Sequence, residues 1–203
     1  METTVIFSII ILVMSVVLHE VSHGFVAYML GDPTAKIAGR LTLNPLKHLD
    51  WMGSVIVPLI LSLLPGNFIV GWAKPVPYNP HMLRGGKYGP ALVAGAGPVM
   101  NLAIAIFFAF LIRSSLAMSI GGSTMVILSG SIVLINVALA IFNLIPIAPF
   151  DGSKILFAFL PHRWHGVETW LERNQMIIIL VVILGVGSIL SPLTSLIVRL
   201  LLW

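Results

Sequence analysis

Apolar residues fall along this chain in long runs, separated by short segments rich in proline, glycine and basic side chains. Four runs reach the roughly 20 residues that a helix needs to cross a hydrocarbon core: residues 5–30, 88–112, 124–147 and 175–200. A fifth, residues 51–64, is shorter and carries Pro58, which fits a re-entrant or tilted half-span better than a full crossing. Two intervening segments do not read as helix. Residues 35–44 (AKIAGRLTLN) alternate as a strand would, and residues 68–80 (FIVGWAKPVPYNP) hold too much proline for a helix interior. Both are expected as small extended elements at the membrane surface. Ser191-Pro192 predicts a kink or break in the last run. The pattern as a whole predicts an all-α polytopic membrane protein with about four full transmembrane helices and one short membrane-embedded helix.

Composition sharpens this picture. Hydrophobic residues make up 58% of the 203 positions and charged residues only 9%, against about a quarter charged in a soluble domain. Lipid is needed to cover so much apolar surface, and the length suits one integral-membrane domain over residues 1–203. The first run has Glu2 where a signal peptide carries basic residues, and it extends into His19 and Glu20, so it is expected as a mature span. The absence of cysteine excludes disulfides, thiolate metal sites and a cysteine nucleophile. The net charge of +4 comes from basic residues scattered through loops, with no patch suited to nucleic acid. Lys36, Arg40, Lys47, Lys74, Arg84 and Lys87 lie between the first and second spans, and Lys154, Arg163 and Arg173 between the third and fourth. Placing all nine in the cytoplasm puts the N-terminus outside, in a cell membrane. A fifth full crossing would split them between the two sides.

The chemistry concentrates in His19-Glu20-Val21-Ser22-His23, an HExxH sequence near the inner end of the first span. Residues four apart share a helix face, so the two imidazoles can grip one metal, with Glu20 beside them to act on water. By average residue usage such a match arises by chance in on the order of one chain in a hundred of this length. Two histidines and a glutamate left unpaired in hydrocarbon would cost several kcal/mol each. They therefore face a cavity or partners, and hydrogen bonding within the bundle alone is the plainer alternative. A tetrahedral hydrolytic site takes a third protein ligand. Glu2 lies on the wrong side, Glu168 and Glu172 lie in a charged loop, and Asp32 and Asp50 suit turns or caps. Asp151 follows Pro146 and Pro149 at an interrupted helix end on the same side as His23, which makes it a candidate.

HEVSH, Gly97-Pro98-Val99-Met100-Asn101 and NLIPIAPFDG (residues 143–152), in that order, resemble the site-2 protease family of intramembrane zinc metalloproteases. GRLTLNPLKHLD and GWAKPVPYNP resemble connecting segments of its short prokaryotic branch, so the resemblance runs from about His19 to Lys154. It implies Zn2+ held by His19, His23 and Asp151, Glu20 as catalytic base and a polar contribution from Asn143. It also implies an endopeptidase acting in or near transmembrane segments of membrane-protein substrates. Asn143 could donate to the oxyanion or orient Glu20. Gly95 and Gly97 are expected to serve helix packing, Asn101 to donate an interhelical hydrogen bond, and His48 to sit at the surface or stabilise a turn. Many relatives carry a regulatory PDZ domain, for which this sequence has no room. The extended segments are candidates for offering a strand edge to an unwound substrate. A metal transporter or a non-catalytic scaffold is the rival reading, and it would have no need of Glu20.

Overall fold

The computed structural model describes residues 2–57, 59, 73–117, 122–161 and 164–203. Among the described residues seven α-helices follow one another: α1 (Glu2–Met29), α2 (Thr34–Ile37), α3 (Gly89–Ala117), α4 (Ser123–Asn143), α5 (Asp151–Phe159), α6 (His165–Arg173) and α7 (Gln175–Leu202). Among the described residues there is no strand. Among these residues three helical stretches are long and apolar enough to cross a membrane: Ile6–Met29, Gly86–Leu116 and Thr124–Asn143. The run expected as a fourth span lies within the continuous helix α7, which runs past Pro192 without the expected break.

The outward faces are apolar, as lipid requires. Ile6, Ile9 and Ile10 on α1, Phe107 and Phe110 on α3, and Ile127 on α4 are all exposed. Small and polar residues turn inward. On α3, Gly97, Asn101, Ala105 and Ala109 recur every fourth position, so they line one buried face. Side chains this small let neighbouring helices approach closely. Helix α3 accordingly packs against α1, α4, α5 and α7 and is the hub of the bundle. Ala105, Ala109 and Ile112 meet Val133 and Val137 of α4 in a closed core, with Ile197 and Val198 of α7 against it. A second core, Ala27, Leu83 and Val93, closes the other end of the α1–α3 contact.

The extended elements are corrected in part. Residues 35–44 form no strand. Asp32 Oδ1 accepts from the Thr34 backbone N–H (3.0 Å) and hydroxyl, which starts the helical turn α2. Gly39 at φ +64° then turns the chain away. An alternation only a few residues long cannot outweigh such local side-chain-to-backbone bonding. Residues 73–79 form neither helix nor strand; Pro75 and Pro77 among them have no N–H to donate to a ladder. Residues 68–72, and residues 58 and 60–64 of the run expected to be re-entrant, lie outside the described residues; its beginning is the π-helical turn Trp51–Ile56, capped by Asp50 Oδ1 accepting from Gly53 N–H at 2.8 Å. His48 is buried rather than at the surface, with its Nε2 on the Thr42 carbonyl at 2.9 Å, so its turn role holds.

Candidate metal centre

Helix α1 turns Ser15, His19, His23 and Ala27 inward, one residue per turn on a single buried face. Asp151 reaches them from the first position of α5. Helix α4 ends at Asn143, and the proline-bearing connection of residues 144–150 returns the chain to the His pair. Gly152 makes this return possible: a Cβ there would lie 2.6 Å from the Ile145 carbonyl oxygen and closer still to that of Leu144. Asp151 Oδ2 lies 3.2 Å from His19 Nε2 and 3.2 Å from His23 Nε2. The three ligand atoms all fall within 4.8 Å of one another.

These distances suit a small tetrahedral cation. Bonds of about 2.0–2.1 Å to nitrogen and oxygen imply tetrahedron edges of roughly 3.4 Å, close to the two spacings from Asp151 to the imidazoles. The outer nitrogens agree. His19 Nδ1 donates to Asn101 Oδ1 at 3.0 Å, and His23 Nδ1 donates to the Val93 carbonyl at 2.7 Å. Each bond fixes the tautomer that leaves Nε2 as the free ligand, an arrangement that commonly supports metal-bound histidine. Burial pushes the Asp151 carboxyl up, but the imidazoles of His19 and His23 outweigh this and hold it well below the usual carboxylate range. It is an anion, ready for a cation.

Glu20 projects beside the pair, and its Oε2 accepts from the Val76 backbone N–H at 2.9 Å. Residues 73–79 thus lie as a strap over the site. A cavity of about 170 Å³ opens here, lined by His19, Glu20, His23, Asn143 and Asp151 together with Tyr78 and Lys154. All five residues singled out in the sequence therefore meet in one place. Asn143 Nδ2 donates to its own helix at the Leu139 carbonyl (3.0 Å), which leaves its second amide hydrogen for the cavity.

Two roles escaped sequence reasoning, and the packing expected of Gly97 falls on the site itself. Asn101, fully buried, accepts from His19 rather than donating between helices. Gly97 packs against the histidine rings themselves, since a Cβ there would lie 2.6 Å from His23 Nε2 and closer to the His19 ring. The strap's Val76 N–H is a backbone group with no sequence signature. A signal did exist for Asn101 and Gly97: they stand four apart and so share the α3 face turned to α1. We expect Asn101→Ala to keep the helical fold and to weaken zinc binding by about 10–100-fold, measured by competition with a chelator of known affinity.

The family model of peptidase family M50 matches residues 117–186. "Putative zinc metalloprotease YwhC" of Bacillus subtilis is 37% identical over 178 residues, covering 85% of this chain and 78% of that protein. The chain belongs to peptidase family M50, the site-2 proteases. Two further relatives of this M50 protein are named "Putative zinc metalloprotease Rip2". The Mycolicibacterium smegmatis protein is 32% identical, with 70% of this chain and 53% of that one aligned. For the Mycobacterium tuberculosis H37Rv protein the figures are 27%, 84% and 64%. The chain thus spans less than two thirds of either Rip2. No solved structure matches the chain. The M50 protein is a zinc metalloprotease and an integral membrane protein.

Proposed function

We propose that this M50 protease is an endopeptidase that cuts membrane-protein substrates in or beside their transmembrane helices, with His19, His23 and Asp151 holding the zinc and Glu20 as general base. The observation that carries this reading is the meeting of two imidazoles, one carboxylate and Glu20 in a cavity well inside a membrane-spanning helix. His19 lies ten residues before Met29, about 15 Å along the axis from the end of α1. Zinc, when bound, supplies Lewis acidity and makes water more acidic.

The chain's own groups do the rest. Glu20 takes a proton from the attacking water as the new C–O bond forms, then passes it to the departing amine nitrogen as the C–N bond breaks. Asn143 offers its spare amide hydrogen to the carbonyl oxygen as negative charge grows there. The supporting hydrogen bonds of Asn101 and Val93 keep both imidazoles aimed throughout. Residues 1–203 act as one catalytic unit. The basic-loop pattern supports an N-terminus outside and a site reached by water from the cytoplasm, in a cell membrane.

The test is cleavage in a reconstituted system. The purified protein, with zinc, is incubated in liposomes with a substrate carrying one apolar helix, and fragment ends are mapped by mass spectrometry. Ends within or within a few residues of that helix are expected. Cleavage confined to water-exposed tails, or none at all, would overturn the reading.

A further inference from the structure

Arg40 was counted in the sequence among the loop cations, yet it is only 8% exposed. Its guanidinium donates to the carbonyls of Lys47, Lys74 (2.8 Å) and Pro75 (3.1 Å). A single planar fork thereby joins the loop after α2 to the strap of residues 73–79. Lys74 N–H adds a bond to the His48 carbonyl at 2.8 Å, and Asn79 N–H donates to Asp32 Oδ2. The strap is held at both ends and by Arg40 between them.

What the strap delivers is one donor. Pro75 and Pro77 have no N–H, so across residues 75–77 the only backbone hydrogen to give is that of Val76. It goes to Glu20 Oε2 at 2.9 Å. Val76 is 6% exposed and sits where Gly24 leaves room for it: a Cβ on Gly24 would stand 2.7 Å from Val76 Cγ1. The carbonyls of Lys74 and Pro75 go to Arg40, and the single N–H between the prolines goes to Glu20. This stretch is therefore not a free edge for a substrate strand. It is a bracket around the base.

We infer that Arg40 is a positioning residue for Glu20: through the carbonyls of Lys74 and Pro75 it sets the strap, and through the Val76 N–H the strap sets the carboxylate that handles the proton. The inference rests on the reading of Glu20 as general base. Arg40 touches neither the ligands nor the cavity around them. A lysine could not replace it, because an ammonium is a point donor and cannot span three carbonyls as a fork does.

The test uses the full chain, zinc-loaded, with a membrane-helix substrate. Arg40→Ala is expected to lower kcat by about 10–100-fold, the scale on which a misplaced catalytic group costs rate, with KM and zinc content at wild-type values. Millimolar guanidinium is expected to restore most of that loss and ammonium none. Guanidinium can enter by the opening of about 290 Å³ that Arg40 lines with Ala38, Lys74, Pro75 and Pro77. Should Arg40→Ala fail to fold, Val76→Pro carries the test, since it deletes the one N–H and leaves Arg40 in place; the same fall in kcat is expected, with no response to guanidinium. Unchanged kcat in the variant tested, an effect confined to KM, a loss of zinc, or a folded Arg40→Ala that guanidinium does not rescue would each overturn the inference. A Glu20→Gln variant separates the two levels. If it cleaves as wild type does, the base assignment itself fails; if it is inactive while Arg40→Ala is unimpaired, only the role of Arg40 fails.

Discussion

Glu20→Gln is expected to lower the cleavage rate by about 10²–10⁴-fold, the usual worth of a positioned general base, with one zinc per chain retained. The substitution is a clean probe of proton transfer because so little else changes. Glutamine keeps the length of the side chain, and its amide oxygen can still accept from the Val76 N–H, so the strap has no reason to move. The three groups proposed to hold the metal are untouched, since Glu20 is not one of them. What disappears is the ability to take a proton from water and return it to the amine. Metal analysis and single-turnover cleavage on the same preparation check both halves. A metal carrier built on the same ligands would be indifferent to this change, so undiminished activity of any kind with bound zinc would point there instead.

Gly97→Ala is expected to abolish zinc binding and, with it, cleavage. The added methyl would overlap the rings of both histidines at once, at separations that carbon atoms do not adopt. The backbone of α3 cannot easily yield, because that helix also packs on α4, α5 and α7. The rings must therefore rotate, which breaks the bonds from His19 to Asn101 and from His23 to Val93. The loss should exceed the roughly 10–100-fold that follows removal of one supporting hydrogen bond. Chelator competition and helical content by circular dichroism separate a lost site from a lost fold. Wild-type zinc affinity would show that the helices can part at this point. The neighbouring Gly95 offers the control, since a Cβ there meets nothing nearer than Ile155 Cδ1 at 4.0 Å.

The bundle and the groups that converge in the cavity were legible in the sequence for physical reasons. Long apolar runs become helices because lipid leaves the backbone no other partner, and an i, i+4 pair of histidines shares a helix face whatever surrounds it. Asp151 was harder. Its residue type and the broken helix around it made it a candidate, but the approach to His19 depends on how α5 returns to α3. The supporting groups were hidden more deeply. The Val93 carbonyl and the Val76 N–H belong to the backbone, which every residue shares, and Arg40 resembled any other loop cation. Residues 35–44 misled because alternation over a few positions also suits a capped turn, and there the Asp32–Thr34 bonds decided the outcome.

His19 and Asp151 are 132 residues apart in the chain, and this separation dictates an order of events during synthesis. A nascent chain that has emerged only through α3 already holds both imidazoles and Glu20, yet it has no carboxylate to complete the trio. On this assignment the ribosome must produce the fourth helix and the turn beyond it before the ion can be gripped from three sides. On the proposed function, the young polypeptide therefore cannot cut its neighbours in the bilayer until most of it has been made.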